Sequence, residues 1–158
     1  MPVVPPPLIA LGAGFVQRAL APEQPPGLVR KVAAVGLGAA GIGLLGATGA
    51  AFKRHGTTFE PFDPSKATAL VTDGPNAVSR NPMYVGMAGV LAAHALGRGG
   101  WLTPLPVIAF VAVIGRVQIR PEEEALAALF GEDYAAYCDQ VPRWIGLPET
   151  WRRIAVDT

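Results

Sequence analysis

The fold is decided by Val32–Phe52, VAAVGLGAAGIGLLGATGAAF, a run of 21 residues without a single charge. A helix that spans a bilayer needs roughly 20 consecutive apolar residues. A soluble helix of that length normally carries a charged outer face, which this run lacks. The run therefore predicts a transmembrane helix.

The same run contains Gly36-Leu37-Gly38-Ala39-Ala40-Gly41, which fits the GxGxxG pattern of dinucleotide-binding sites. That pattern requires a preceding strand and an acidic residue about 20 positions further on, and this uncharged apolar run offers neither. We interpret the glycines as packing residues, because small side chains one turn apart let helices approach closely in lipid. We expect this of the pairs Gly36/Ala40, Gly43/Ala47 and Gly46/Ala50.

Three further runs without charge, at 1–17, 81–97 and 99–115, are close to the minimum length of a span. Only 16% of the 158 residues are charged, against about 25% in an average soluble domain. We predict an all-α membrane protein with one domain, 1–158, and about four transmembrane helices at 3–20, 32–52, 82–97 and 101–119. A soluble helical bundle is the alternative. No basic segment precedes the first run, so we expect a retained span or half-span and no cleaved secretory signal.

The polar segments complete this architecture. Residues 53–80 are rich in turn signals and predict a loop without regular structure. Asn81 is a good N-cap and Pro82 suits the first helical position, so helix three begins there. The short linker 97–100 predicts that helices three and four form an antiparallel hairpin. Residues 121–145 predict an amphipathic helix at the membrane surface, because their apolar residues recur at helical spacing: Leu126, Leu129, Phe130, Tyr134 and Tyr137.

Charge sets the predicted orientation. Four spans place both termini and the 53–80 loop on one side of the membrane, with eight basic residues there against four on the other. The excess of basic residues marks the cytoplasmic side of an inner, or cytoplasmic, membrane. The inner side would hold Lys53, Arg54, Lys66, Arg80, Arg120, Arg143, Arg152 and Arg153, and the outer side Arg18, Arg30, Lys31 and Arg98.

Other features exclude several classes of function. The net charge is +1 and no basic tract is present, so nucleic acid is not an expected partner. Cys138 is the only cysteine, which excludes an intrachain disulfide. The sequence shows neither the spacing of a metal site nor a catalytic triad.

A candidate site arises where the predicted hairpin brings two polar segments to one membrane face. Arg80, Asn81 and Tyr84 stand at the start of helix three. Arg116 and Arg120 stand at the end of helix four, followed by Glu122-Glu123-Glu124. A helix N-terminus at Pro82 favours an anionic group, for which Arg80 offers a bidentate partner. Nearby glutamates favour an ammonium or a ribose diol, so the pattern predicts a ligand held at both ends.

Each of these residues also has a structural interpretation. The glutamates are favoured by the dipole of a helix that starts at Pro121. Arg116 can extend its guanidinium to the interface or pair with a glutamate. Tyr134 and Tyr137 can be packing residues, and His94 a hydrogen-bonded histidine of the bundle.

Between Gly56 and Ile145 an ordered set of motifs resembles the isoprenylcysteine carboxyl methyltransferase and phospholipid methyltransferase group of membrane enzymes. The set covers roughly the last two thirds of the chain. It comprises Gly56-Thr57-Thr58, Leu70-Val71-Thr72-Asp73-Gly74-Pro75, Ser79-Arg80-Asn81-Pro82-Met83-Tyr84-Val85-Gly86, Arg120-Pro121-Glu122-Glu123, Leu126, Phe130-Gly131, Tyr134, Tyr137 and Val141-Pro142-Arg143-Trp144-Ile145.

The resemblance implies S-adenosylmethionine as the methyl donor. It implies donor-binding roles for Arg80, Asn81, Pro82, Tyr84, Glu122, Glu123 and Tyr134, and candidate catalytic roles for Arg80, Arg116 and Arg143. When the motifs of this group are aligned on Phe130, their glutamate pair falls on Glu122 and Glu123, so Glu124 lies outside the motif.

The chain departs from the pattern of this group at three places. Asn76-Ala77 stands where an aromatic and a larger residue are common. Asn81 replaces a frequent histidine, and Gly146 replaces a proline. The first departure puts stacking on the acceptor in doubt.

The implied reaction is an in-line displacement at an activated methyl group, in which the protein mainly aligns and desolvates the reactants. The expected acceptor is lipophilic and drawn from the membrane: the carboxylate of an isoprenylcysteine-like molecule, or a lipid amine or thiol. The absence of an evident base favours an acceptor that arrives deprotonated. One alternative is a membrane reductase of the sterol-reductase type using NADPH, whose C-terminal pattern is similar. Another is a non-catalytic membrane protein that keeps the fold.

Overall fold

The computed structural model describes residues 4–23, 26–56 and 68–145. About 77% of these residues are helical and none of them lies in a strand, which confirms the all-α prediction. The helices are α1 (Pro6–Leu20), α2 (Leu28–Arg54), α3 (Pro82–Arg98), α4 (Leu105–Ile114) and α5 (Arg120–Gln140), with a 3-10 turn at Gly74–Ala77 and a π turn at Gly115–Ile119.

Within the described ranges, α2 is the one helix that is both long and apolar enough to cross a bilayer. It contains the predicted span 32–52 and extends beyond it at both ends. Apolar side chains on its surface point outward, with Val35 73% and Ile42 63% exposed. Together these features suggest association with a membrane. The other three predicted spans correspond to shorter helices and do not meet this test, and the start of the first, residue 3, lies outside the described residues.

Short connections and close contacts fix the directions of the helices. Gly38 of α2 lies beside Ala93 of α3, and Gly41 beside Gly86, so these two helices are antiparallel. The connections from α1 to α2 and from α3 to α4 are short, so each also reverses the chain. The start of α3 and the region after α4 therefore lie at the same end of the bundle. We call this the site end and the opposite one the distal end.

The crossing of α2 and α3 depends on two glycines. A Cβ atom at Gly41 would lie 2.9 Å from the carbonyl oxygen of Gly86, and one at Gly86 would lie 2.9 Å from Leu45 Cγ. The prediction that Gly36, Gly43 and Gly46 pack against a neighbouring helix was wrong. A Cβ atom placed at any of them meets no described atom of another element within 4 Å. Nearly every turn of α2 carries a small residue, so spacing alone does not identify the face that packs.

A buried polar cluster joins the helices near the distal end. Gln17 of α1 is fully buried, and its Nε2 donates to the carbonyl oxygens of Leu91 and Thr103 at 3.0 and 3.1 Å. Its Oε1 accepts from His94 Nδ1 at 2.8 Å, while His94 Nε2 accepts from Arg98 Nε at 3.2 Å. Both ring nitrogens are thus used, which confirms His94 as a hydrogen-bonded histidine of the bundle.

Helix four differs from the prediction at both ends. It begins at Leu105, not at residue 101, because Thr103 donates to the carbonyls of Gly99 and Gly100 and holds the preceding residues in a turn. At its other end the backbone stays helical through the π turn into α5. The expected break at Pro121 is absent. The π turn directly precedes this proline, where wider hydrogen bonding accommodates its missing N–H and its ring.

The prediction of one amphipathic helix over residues 121–145 was wrong in two respects. Gly131 has φ 50° and ψ −119°, a conformation that only glycine adopts readily, and it divides α5 into two arms. Leu129, before the kink, is 46% exposed, whereas Tyr134 and Tyr137 after it are buried. The helix also ends at Gln140, and residues 141–145 return along the start of α3 in a non-helical conformation.

The 53–80 segment was predicted to lack regular structure, but among its described residues Lys53 and Arg54 end α2 and Gly74–Ala77 form a 3-10 turn. The motif residues Thr57 and Thr58 and the departure at Gly146 lie outside the described residues.

Candidate functional site

The residues before α3 are held by the returning segment 141–145. Arg80 N donates to the carbonyl of Pro142 at 2.9 Å. Ser79 Oγ and Asn81 Nδ2 both donate to the carbonyl of Arg143, at 3.2 and 3.0 Å. Asn81 occupies the predicted N-cap position, but its side chain makes no capping bond to the helix. Its side-chain amide instead forms a hydrogen bond to the C-terminal segment.

Glu123 lies between two guanidinium groups. Arg80 Nη2 donates to Glu123 Oε1 at 3.0 Å, and Arg143 donates to the same carboxylate from both Nε and Nη2. Arg80 and Glu123 are well buried, with side chains 10% and 14% exposed. Arg80 Nη1 also donates to the carbonyls of Cys138 and Val141, at 3.1 and 3.0 Å. The two distant polar segments therefore meet as predicted, and the contact between them is an ion pair of Arg80 with Glu123.

Glu122 has a different environment. Its Oε1 accepts hydrogen bonds from the Tyr84 hydroxyl at 2.7 Å and from Gln118 Nε2 at 2.5 Å. Both donors are neutral, and no basic side chain of the described ranges bonds to this carboxylate. Burial raises the pKa of Glu122 above its ordinary value. Its negative charge is thus partly desolvated, and the described part of the chain supplies no cation to compensate for it.

The backbone geometry excludes the helix dipole as the reason for these glutamates. Ile114, Ile119 and Arg120 all have helical φ and ψ angles, so α5 has no free N-terminus at Pro121. A favourable helix dipole needs the unpaired N–H groups of such a terminus. The dipole therefore does not explain why Glu122 and Glu123 are there.

Two tyrosines close the site on the side of α5. Tyr134 packs beside Tyr137 with ring centroids 6.2 Å apart, and Tyr137 donates to the carbonyl of Asn76 at 2.6 Å. Burial raises the pKa of Tyr137 to about 12. Burial and the charge of Glu123 raise the pKa of Tyr134 as well.

Two polar atoms beside this cluster are buried and have no hydrogen-bond partner within the described ranges: Asn76 Oδ1 and Arg80 Nε. One is an acceptor and the other a cationic donor. Buried polar groups in folded proteins are almost always paired, so such atoms require an explanation. A bound polar ligand is one explanation.

Not every predicted site residue joins the cluster. Arg116 is exposed and, among the described residues, donates only to the carbonyl of Ala112 in its own helix, at 3.5 Å. Glu124 forms an exposed pair with Arg120. Pro82 is buried at the first position of α3.

Sequence reasoning missed Gln118, although its spacing of four residues from Glu122 on one helix signals a side-chain contact. It also missed the carbonyls of Cys138 and Val141, which no sequence pattern marks.

Comparison with known proteins gives two matches. A family model described as phospholipid methyltransferase matches residues 29–133, about two thirds of the chain. A curated protein from Haemophilus influenzae, described only as uncharacterized, is 40% identical over 63 residues, which cover 40% of this chain and all of that protein. No solved structure matches.

Proposed function

Because the chain belongs to the phospholipid methyltransferase family, we propose that it transfers a methyl group from S-adenosylmethionine to a lipophilic acceptor in a membrane. The donor would bind at the site end, among the residues around Glu122 and Glu123.

The observation that carries this proposal is the charge of Glu122, which has no cationic partner among the described residues. Its half-buried carboxylate accepts hydrogen bonds from neutral Tyr84 and Gln118. A ligand with a positive charge would supply such a partner and recover the desolvation cost. S-adenosylmethionine carries two such groups, an ammonium and a sulfonium.

The partnerless atoms fit the rest of the same ligand. Arg80 Nε is a cationic donor suited to a carboxylate, and Asn76 Oδ1 is an acceptor suited to an ammonium or a hydroxyl. Arg80 is itself oriented by Glu123 and by the backbone of the returning segment. Tyr134 and Asn81 would line the same site.

When bound, the donor supplies a methyl group on a positively charged sulfur, which makes transfer a single displacement. The residues of this chain would orient the donor and exclude water. Glu123 is held by two guanidiniums, and Oε1 of Glu122 already accepts two hydrogen bonds, so we assign neither carboxylate as the general base. We therefore favour an acceptor that arrives deprotonated, such as the carboxylate of an isoprenylcysteine-like molecule, or a lipid amine or thiol in its reactive form.

The orientation belongs to the proposal as well. The excess of basic residues near the site end favours an orientation in which this end faces the cytoplasm, where the soluble donor is available.

Calorimetric titration with S-adenosylmethionine tests the donor site. We expect the purified protein to bind the donor and expect Glu122→Gln and Glu123→Gln each to weaken binding by about tenfold or more, because each removes a charged hydrogen-bonding partner. Glu124→Gln is the matched control. It removes a neighbouring carboxylate that pairs only with exposed Arg120, and it should bind like the wild type.

Absence of donor binding by folded wild-type protein would contradict the proposal, as would equal effects of all three substitutions. NADPH serves as a comparison ligand in the same titration. Mass spectrometry of lipid extracts and small thiols, incubated with the protein and a labelled methyl donor, then identifies the acceptor.

A further inference from the structure

A long apolar groove lies between α1 and α2 on the surface of α3. Its volume is about 590 Å³. Both flanking helices pack on α3 and leave this space between them. Its walls are formed by Leu11, Phe15, Leu45, Met87, Val90 and Leu91.

The groove opens on the outer surface of the bundle. Leu11 and Phe15 at its edge are 60% and 73% exposed, and Ile42 on the neighbouring face of α2 is 63% exposed. An apolar rim of this kind is unfavourable in water, and contiguous exposed apolar surface marks an interaction site. In a membrane protein, the groove would be continuous with the hydrocarbon of the bilayer.

One end of the groove is cationic. Arg18 and His94 line it there, and Arg98 donates from its Nε to His94 Nε2. Because Arg98 can only donate, this bond makes His94 Nε2 an acceptor, and its Nδ1 then carries the proton donated to Gln17. His94 is thereby neutral. The terminal nitrogens of Arg18 and Arg98 have no carboxylate partner among residues 4–23, 26–56 and 68–145.

We propose that this groove binds an anionic phospholipid, with its phosphate on Arg18 and Arg98 and an acyl chain along the apolar walls toward Met87. The lipid would fill the gap between α1 and α2 and hold both helices on α3.

The arrangement of charge selects this ligand. A phosphodiester can bind two guanidinium groups in a bidentate manner, and arginine is the residue best suited to that geometry. The distal end also carries Arg30 and Lys31, against Glu23 as the acidic residue of its described part. Free phosphate would leave the apolar walls unused, and a zwitterionic headgroup would bring its own cation beside the arginines.

The groove is separate from the proposed donor site. His94 lies ten residues beyond Tyr84 along α3, which corresponds to about 15 Å at the rise of an α-helix. The phosphate would thus lie near the distal end, whereas Glu122 and Glu123 lie at the site end. Binding in the groove should require neither the methyl donor nor an intact glutamate pair.

Thermal unfolding of the full chain in a neutral detergent tests the proposal, with phosphatidylglycerol, phosphatidylcholine or glycerol phosphate added. We expect phosphatidylglycerol alone to raise the Tm by several degrees, since a ligand that binds only the folded state stabilises it. The variant Arg18→Gln/Arg98→Gln should bind this lipid about tenfold more weakly. Lys31→Gln, which removes a charge at the same end but outside the groove, should respond like the wild type.

A second pair of variants tests the apolar walls without changing charge. Gly14→Phe introduces a ring into the groove and should reduce the response, whereas Gly12→Phe changes the same helix where a Cβ atom meets no neighbour within 4 Å. Equal stabilisation by phosphatidylcholine or by glycerol phosphate would overturn the proposal. An unchanged rise in the Tm of the double arginine variant with phosphatidylglycerol would also overturn it. Methylation of the bound lipid on addition of S-adenosylmethionine would overturn it as well, because it would identify the groove as the acceptor site.

Discussion

At the scale of single residues, two adjacent glutamates have opposite environments. Glu123 is neutralised by Arg80 and Arg143 and takes part in holding the C-terminal segment. Glu122 is partly desolvated, and its hydrogen-bond donors among the described residues are neutral. The first arrangement stabilises the folded chain. The second costs stability and leaves a charge available to a ligand, a common compromise at functional sites.

This difference predicts that Glu122→Gln stabilises the free protein while it weakens donor binding. The folded pKa of Glu122 is raised, so ionisation in the folded state is penalised. The penalty is absent at low pH, where the group is protonated in both states, and is complete above the raised pKa. Thermal or chemical unfolding across pH should show the variant equal to the wild type near pH 4 and more stable at pH 8.

Glu124→Gln is again the control, and it should show little pH-dependent gain because that side chain is exposed. Titration with S-adenosylhomocysteine, whose sulfur is neutral, refines the assignment. If Glu122 faces the sulfonium, the substitution weakens binding of the methyl donor more than that of this product. A variant that is less stable at pH 8 and binds the donor normally would contradict the interpretation.

At the scale of helices, the crossing of α2 and α3 is the tightest contact between elements. It predicts that Gly41→Ala destabilises the fold by about 1–3 kcal/mol, the usual cost of overpacking, because the new methyl group would meet the backbone of Gly86 at 2.9 Å. Gly43→Ala, at an open position of the same helix, should be neutral or slightly stabilising. Unfolding in detergent measures both, and similar effects at the two positions would contradict this crossing.

The helix from α4 to α5 shows how one element positions several groups. The π turn at Gly115–Ile119 adds a wide turn just before the glutamates. It places Gln118 where its amide reaches Glu122, four residues later. Turns of this kind are rare and are often found at functional sites. Here the turn orients the side chains at the beginning of α5 toward the start of α3.

For the whole molecule, the antiparallel arrangement predicts which residues face the same side of a membrane. In a Cys138→Ser background, Lys31→Cys should react with a membrane-impermeant maleimide added outside intact cells. Glu132→Cys should react only after the membrane is permeabilised. The excess of basic residues at the site end is the physical reason. Labelling of both positions from the same side would contradict the proposed topology.

The sequence predicted the helical class and the meeting of two distant polar segments, because hydrophobic runs and a short hairpin linker are local features. Arg80 with Glu123 and Tyr84 with Glu122 follow from that hairpin. The sequence did not predict the role of the Arg143 guanidinium toward Glu123, since that depends on a kink at Gly131 and on the return of residues 141–145. It also misplaced the packing face of α2, where nearly every turn offers a small side chain.

The return of residues 141–145 has a consequence for synthesis. Arg80 is oriented by carbonyls some 58 and 61 positions later in the chain, and Glu123 by Arg143. A nascent chain whose earlier helices have emerged, while α5 and Arg143 are still inside the ribosome, has no assembled site. The chain would therefore gain the ability to bind the donor abruptly, late in translation. A messenger RNA truncated shortly before codon 141 would yield a protein that inserts but does not bind the donor.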